Sequence, residues 1–103
     1  MCAASRIGAL NRNGMKACTE GDLANASFLL HQALREATSL GLAGFEAKIR
    51  NNLGLVCGLS GRHDEASRHF EAALAQVETR HGRENRLYTS ITNNLRALHA
   101  HCI

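Results

Sequence analysis

Sliding the chain along itself by 40 residues lays Asn11 on Asn51, Gly14 on Gly54, Gly21 on Gly61, Ala26 on Ala66, Ser27 on Ser67, Ala33 on Ala73 and Leu34 on Leu74. A slide of 42 lays Ile49-Arg50-Asn51-Asn52-Leu53 on Ile91-Thr92-Asn93-Asn94-Leu95. A period of this size restricts the possible folds more than composition does. Each unit is one supersecondary element, too small to hide its own apolar face, so neighbouring units must stack to cover it.

The apolar spacing within the unit is helical. Leu53, Val56, Cys57 and Leu59 mark one helix, and Ala66, Phe70, Ala73, Leu74 and Val77 mark the next, with steps of three and four in place of the alternation of a strand. Gly61 punctuates the two, so they fold back as an antiparallel hairpin. Along the chain this predicts a helix over 7–18, a turn at Thr19-Glu20-Gly21-Asp22 with Asp22 capping the next helix, and a second helix ending near Leu40. Gly41 and Gly44 flank a short connection; further helices are expected over about 45–59, 63–80 and 85–101, with Gly82 as a break. Gly14 and Gly54 fall in helix interiors, where glycine costs ~1 kcal/mol against alanine, so a close helix approach must compensate. Ala26 with Ala66, and Ala33 with Ala73, are the small residues that let the two helices of a hairpin touch.

The expectation is an all-α single domain over 1–103, with a first repeat over about 7–41, a second over about 45–81 and a capping helix over about 85–101. Proline is absent, aromatics make up 4%, and apolar residues at 45% suffice for a modest core. The net charge of +3 is scattered over 12 basic and 9 acidic residues without a basic run, which argues against a nucleic-acid partner, since counterion release needs clustered Lys and Arg. Cys2, Cys18, Cys57 and Cys102 show neither zinc-site spacing nor a disulfide framework, and Cys57 lies in an apolar stripe as a small hydrophobe. The N-terminus lacks the apolar run of a signal peptide, and nothing approaches the ~18 apolar residues of a membrane span. No membrane partner is expected, and a reducing cytoplasm is the simplest location.

Leu53-Gly54, Cys57, Gly61, Asp64-Glu65-Ala66, Phe70 and Ala73-Leu74 together resemble the signature of the tetratricopeptide repeat family. Gly14, Gly21-Asp22, Ala26, Leu30 and Ala33-Leu34 repeat it, with Asn13 where Leu53 and Leu95 stand later. The 40 to 42 residue spacing is longer than the family's common 34 and is similar to the extended repeats of kinesin light chains, whose NNL element occurs here twice. The proline that often ends such a repeat is absent, and Gly41, Gly44 and Gly82 could stand in as stops. The resemblance covers roughly residues 7–101. It implies a right-handed α-α superhelix of two helical hairpins plus a C-terminal capping helix, whose first helices line a concave groove.

At about 100° per residue, Lys48, Asn51, Asn52, Leu55 and Leu59 fall on one side of the third helix, opposite Leu53, Gly54 and Cys57. The slides carry that side to Asn11, Arg12, Met15 and Thr19 on the first helix and to Ser90, Asn93, Asn94, Ala97 and His101 on the fifth. Given the resemblance, the expected peptide-binding groove consists of Asn11, Arg12, Met15, Lys48, Asn51, Asn52, Leu55, Leu59, Asn93 and Asn94. Free asparagine amides would pair with the main chain of an extended peptide, Arg12 and Lys48 would favour acidic residues, and Met15, Leu55 and Leu59 would take apolar anchors. Some family members grip a terminal carboxylate with a Lys, Asn and Arg clamp. Asn52 could match its middle asparagine, but Asn11, Met15, Ser90 and Asn94 stand where the clamp needs Lys, Asn, Lys and Arg, so it is not expected here.

Arg96 stands where Gly14 and Gly54 would put a close approach, with Thr92 and His99 on its side, so the last helix is expected to face water as a solenoid cap. Leu87, Ile91, Leu98 and Ile103 form a strip that could instead pair two chains as a homodimer. His99-Ala100-His101-Cys102 and the pair His63 and His69 lack metal-site spacing, Asp64-Glu65 beside Arg62 suits a first helical turn, and no nucleophile has a base at recognisable spacing. The expectation is a non-catalytic protein–protein interaction module without cofactor or metal, binding a peptide or helix of a partner. The alternatives are a self-associating structural piece and, third, a nucleic-acid or enzyme accessory.

Overall fold

In a computed structural model, the structure describes residues 2–100. Five helices follow one another: α1 Ala3–Thr19, α2 Leu23–Ser39, α3 Ala43–Leu59, α4 His63–His81 and α5 Arg86–Ala100. Each packs on the next in sequence, and α3 also touches both α1 and α5, so the three odd-numbered helices lie side by side. Among the described residues no helix is long and apolar enough to cross a membrane. Residues 101–103, including His101, Cys102 and Ile103, lie outside the described residues.

The first three turns are the same device at intervals of 20 residues. Gly21, Gly41 and Gly61 have φ of 84°, 68° and 81°. The following amides of Asp22, Leu42 and Arg62 reach back to the carbonyls of Ala17, Ala37 and Cys57 at 2.9 Å. This is the Schellman closure, which needs a residue in the left-handed region just after the helix and so selects glycine. Helices joined by so short a turn must run antiparallel. Asp22 caps α2 through its side chain, which accepts from the Asn25 amide at 3.2 Å. Asn85 caps α5 in the same way, accepting from the Tyr88 amide at 2.8 Å.

Gly44 is therefore not a stop, as the sequence reading had it. Gly41 ends α2 alone and α3 starts at Ala43, with the exposed Gly44 inside its first turn. The first helix likewise begins four residues earlier than the stripe indicates, at Ala3 where Ile7 was expected, because Ala3 to Arg6 are polar or small and carry no stripe to read.

The buried side chains form two clusters on either side of α3. Ile49, Leu53 and Val56 join Ile7, Ala17, Ala26, Leu30, Ala33 and Ala37 of α1 and α2. Ala47 and Cys57 join Ala66, Phe70, Ala73 and Val77 of α4 with Ile91 and Leu98 of α5. The mid-helix glycines sit where the hairpins close. A Cβ on Gly14 would stand 2.8 Å from Leu30 Cγ, and one on Gly54 would stand 2.4 Å from Phe70 Cε1. Here glycine's helix penalty is offset by contact that no larger residue allows.

Candidate functional site

The face expected to line a groove is built from α1, α3 and α5, and its asparagines are mostly spent on one another. Asn52 Nδ2 donates to Asn11 Oδ1 at 2.8 Å, and Asn94 Nδ2 donates to Asn51 Oδ1 at 3.0 Å. In each pair the second asparagine of an NN element reaches back to the equivalent of the first asparagine one repeat earlier. The reading of these amides as free donors for a peptide backbone is corrected accordingly: Asn52 and Asn94 each donate within the protein, and Asn51 is only 8% exposed with its Oδ1 accepting. The cause is the central position of α3. The helical wheel gives it one packed side and one free side, whereas all four other helices contact it and only positions such as Lys48 and Leu59 stay exposed.

Other members of the expected set divide into three groups. Met15 is partly buried against the first cluster and Leu55 against the second, so both belong partly to the core. Arg12, Lys48 and Asn93 are exposed, and Asn93 lies apart from Asn94, beside a shallow polar depression at the start of α5 lined by Asn85, Thr89 and Ser90. Leu59 is 66% exposed, unusual for a large apolar side chain.

Leu55, Leu59 and Asn94 converge on one open depression of about 380 Å³ between the C-terminal halves of α3 and α5. Phe70 and Leu98, both buried, line it with them, and the exposed Ala97 completes the α5 side. Gly54 and Gly58 are also part of its wall, so the absence of two side chains helps to form it. Its chemistry is apolar, with the Asn94 amide and the His63 ring as the polar groups at hand. Ala97 was placed on this face by the slide of 42, whereas Leu98 and Phe70 read as core and no spacing rule marks them as pocket-forming.

A second side-chain cluster lies away from this face, between α2 and α4. One ligand-capable atom from each of His31, Glu65 and His69 lies within 4.8 Å of the others. Their rings stand edge to face, His31 and His69 having centroids 6.2 Å apart. His69 Nε2 is 3.8 Å from Glu65 Oε2, and the same carboxylate oxygen accepts from the Cys57 thiol at 3.4 Å. Burial, then the carboxylate beside it, pushes the Cys57 thiol up to about 11, so the sulfur stays protonated and donates. The thiol bond in turn holds the Glu65 carboxyl below its ordinary value, against the opposing cost of desolvation. Burial lowers the His69 imidazole below its ordinary value; Glu65 opposes that, and His31, Arg50 and Arg68 add to it.

The sequence reading paired His69 with His63 and rejected both. The structure places His69 with Glu65 four residues earlier on the same helix and with His31, 38 residues away on another. The i, i+4 pair was available in the sequence; the third member required the packing of α2 beside α4.

The strip proposed for chain pairing is largely used within the chain. Ile91 is fully buried, Leu98 nearly so, and Leu87 packs against the second cluster. Arg96 and His99 are exposed, while Thr92 is partly buried. The chain matches no family model among known protein families, and no curated protein matches it.

Proposed function

We propose that the chain is a non-catalytic interaction module of tetratricopeptide type, a right-handed superhelix whose first-of-pair helices α1, α3 and α5 present a surface to a peptide or helix of a partner protein. The observation that carries this reading is the apolar depression beside Leu59. A large aliphatic side chain left 66% exposed next to a depression lined by Leu55, Ala97, Leu98 and Phe70 is a site for one apolar side chain of a ligand. The asparagine pairs support the reading in a different way from the one the sequence suggested. They fix α1, α3 and α5 side by side, so the surface is rigid before anything binds and little ordering entropy is lost on association. Lys48 and Arg12, exposed on the neighbouring helices, favour a ligand with acidic residues flanking its apolar anchor.

Panning a displayed library of short random peptides against the purified chain tests this. Enrichment of peptides with one large apolar residue near acidic residues is expected, and Leu59→Asp should abolish it while leaving helical circular dichroism intact, because the side chain is exposed. Thr79→Asp on the exposed part of α4 is the control and should keep the enrichment. No enrichment, or enrichment indifferent to Leu59→Asp, would remove the proposal.

A further inference from the structure

The cluster of His31, Glu65 and His69 is independent of the depression beside Leu59. Two features of it go beyond proximity. First, His31 Nδ1 is 2.9 Å from the Ser27 carbonyl oxygen and 3.2 Å from Ser27 Oγ. A carbonyl only accepts, so Nδ1 carries the proton and the ring lone pair resides on Nε2. Orientation of a histidine by a backbone carbonyl on its other nitrogen is how metal-ligating imidazoles are held and made more basic. Second, Glu65 divides its two oxygens. Oε1 faces Arg62 at 3.8 Å, while Oε2 takes the Cys57 thiol and faces His69. The carboxylate is thus held in place by the Cys57 thiol on one oxygen and Arg62 on the other.

Two imidazoles and one carboxylate form a borderline donor set, suited to an ion such as Zn2+ and not to a hard, all-oxygen cation. Donors around tetrahedral zinc at about 2.0–2.2 Å lie roughly 3.4 Å apart. Glu65 Oε2 and His69 Nε2, at 3.8 Å, are nearly there, and the full triad within 4.8 Å closes by side-chain rotation. The guanidinium groups of Arg50, Arg62 and Arg68 oppose a cation, so the affinity is that of an exchangeable site and not of a structural zinc finger.

We propose that His31, Glu65 and His69 bind one divalent ion of the zinc class, with solvent in the remaining position, and that the ion ties the second helix of the first hairpin to the second helix of the next. The consequence is mechanical. Among the described residues the backbones of α2 and α4 pack on α3, and the two helices meet through side chains such as the His31 and His69 rings, so bound metal would add a firmer crosslink there. The stability of the contact between α2 and α4 thereby becomes dependent on metal.

The test is titration of the reduced full chain with Zn2+ against a chromogenic chelator, with Co2+ as spectroscopic probe. One equivalent is expected to bind, with cobalt d–d bands and without the intense thiolate charge-transfer band. His31→Gln and His69→Gln should each weaken zinc by more than about tenfold, since removing even an outer-shell partner costs ~10–100-fold. His63→Gln and His81→Gln should not change it. Because a variant could lose its fold, the histidine ring resonances of the unmodified chain are followed in parallel. On zinc addition those of His31 and His69 should move together, and those of His63 and His81 should stay. Absence of stoichiometric zinc, binding that survives the double histidine variant, or a thiolate band would each overturn the assignment.

Discussion

Replacing Gly54 by alanine is the sharpest test of how the second hairpin closes. The added Cβ would lie 2.4, 2.6 and 2.7 Å from Phe70 Cε1, Cδ1 and Cζ. Ordinary carbon contacts fall at about 3.5–4.0 Å, so the ring must retreat by roughly 1 Å. Phe70 is 2% exposed and is flanked on α4 by the fully buried Ala66 and Ala73, so the one direction open to it is the depression it lines with Gly54, and moving there disturbs Leu55 and Leu98. Alanine gains ~1 kcal/mol over glycine in a helix interior. Overpacking a well-filled core costs about 1–3 kcal/mol, occasionally more, and three ring atoms inside 3.0 Å place this site at or above the upper end. The net expectation is a loss of about 2 kcal/mol, or roughly 8–16 °C in Tm for a domain of this size. Urea unfolding followed by helical circular dichroism, with Cm compared at constant m, reads it directly. Other glycines calibrate the scale. Gly14→Ala meets Leu30 Cγ at 2.8 Å, a chain that can turn about its side-chain torsions, and should cost less; Gly58→Ala meets only Leu98 Cδ1 at 3.4 Å and should be neutral or stabilising. Phe70→Leu added to Gly54→Ala should recover part of the loss by making room. A Gly54→Ala protein as stable as the parent would refute the close approach and with it the packing of α3 on α4.

The asparagine pairs make a second prediction: Asn94→Ala should cost about 1–3 kcal/mol by leaving the buried Asn51 Oδ1 without a partner, whereas Asn51→Ala with Asn94→Ala should cost less than the sum of the two single changes, as a double-mutant cycle will show. Asn52→Ala should be milder, about 0.5–1.5 kcal/mol, because Asn11 is less buried and water can replace the lost donor. A third concerns acid. His69 has its folded pKa below the ordinary 6.5, so its contribution to stability is fully present above pH 6.5 and is lost as pH falls through the lower folded value; Glu65, also lowered, adds a loss in the same direction below its ordinary 4.5. His69→Gln should flatten the first of these two segments in a plot of unfolding free energy against pH, and an unchanged slope between pH 6.5 and 5 would contradict it.

Much of this was legible because the repeat is written in the residues that tolerate no substitute. Gly21, Gly41 and Gly61 mark left-handed positions, Gly14 and Gly54 mark contacts, and the alanine pairs mark helix crossings; all three kinds of position restrict residue type locally and so appear in a sequence comparison of the chain with itself. The candidate surface was legible only in part. Leu55, Leu59 and Asn94 were placed on it and line the depression, but the amides of Asn52 and Asn94 were credited as free and instead donate to Asn11 and Asn51. A helical wheel treats each helix as though it had one neighbour, and α3 contacts all four of the others.

The sequence by itself determined where the chain turns, which residues face inward within each hairpin, and that the hairpins must stack, since periodicity and glycine placement act over a few residues at a time. Only the tertiary structure decided which polar groups answer one another. Asn94 finds Asn51 across 43 residues and His69 finds His31 across 38, because the spacing of successive hairpins, and not any local preference, sets which side chains come within hydrogen-bonding or ligand distance.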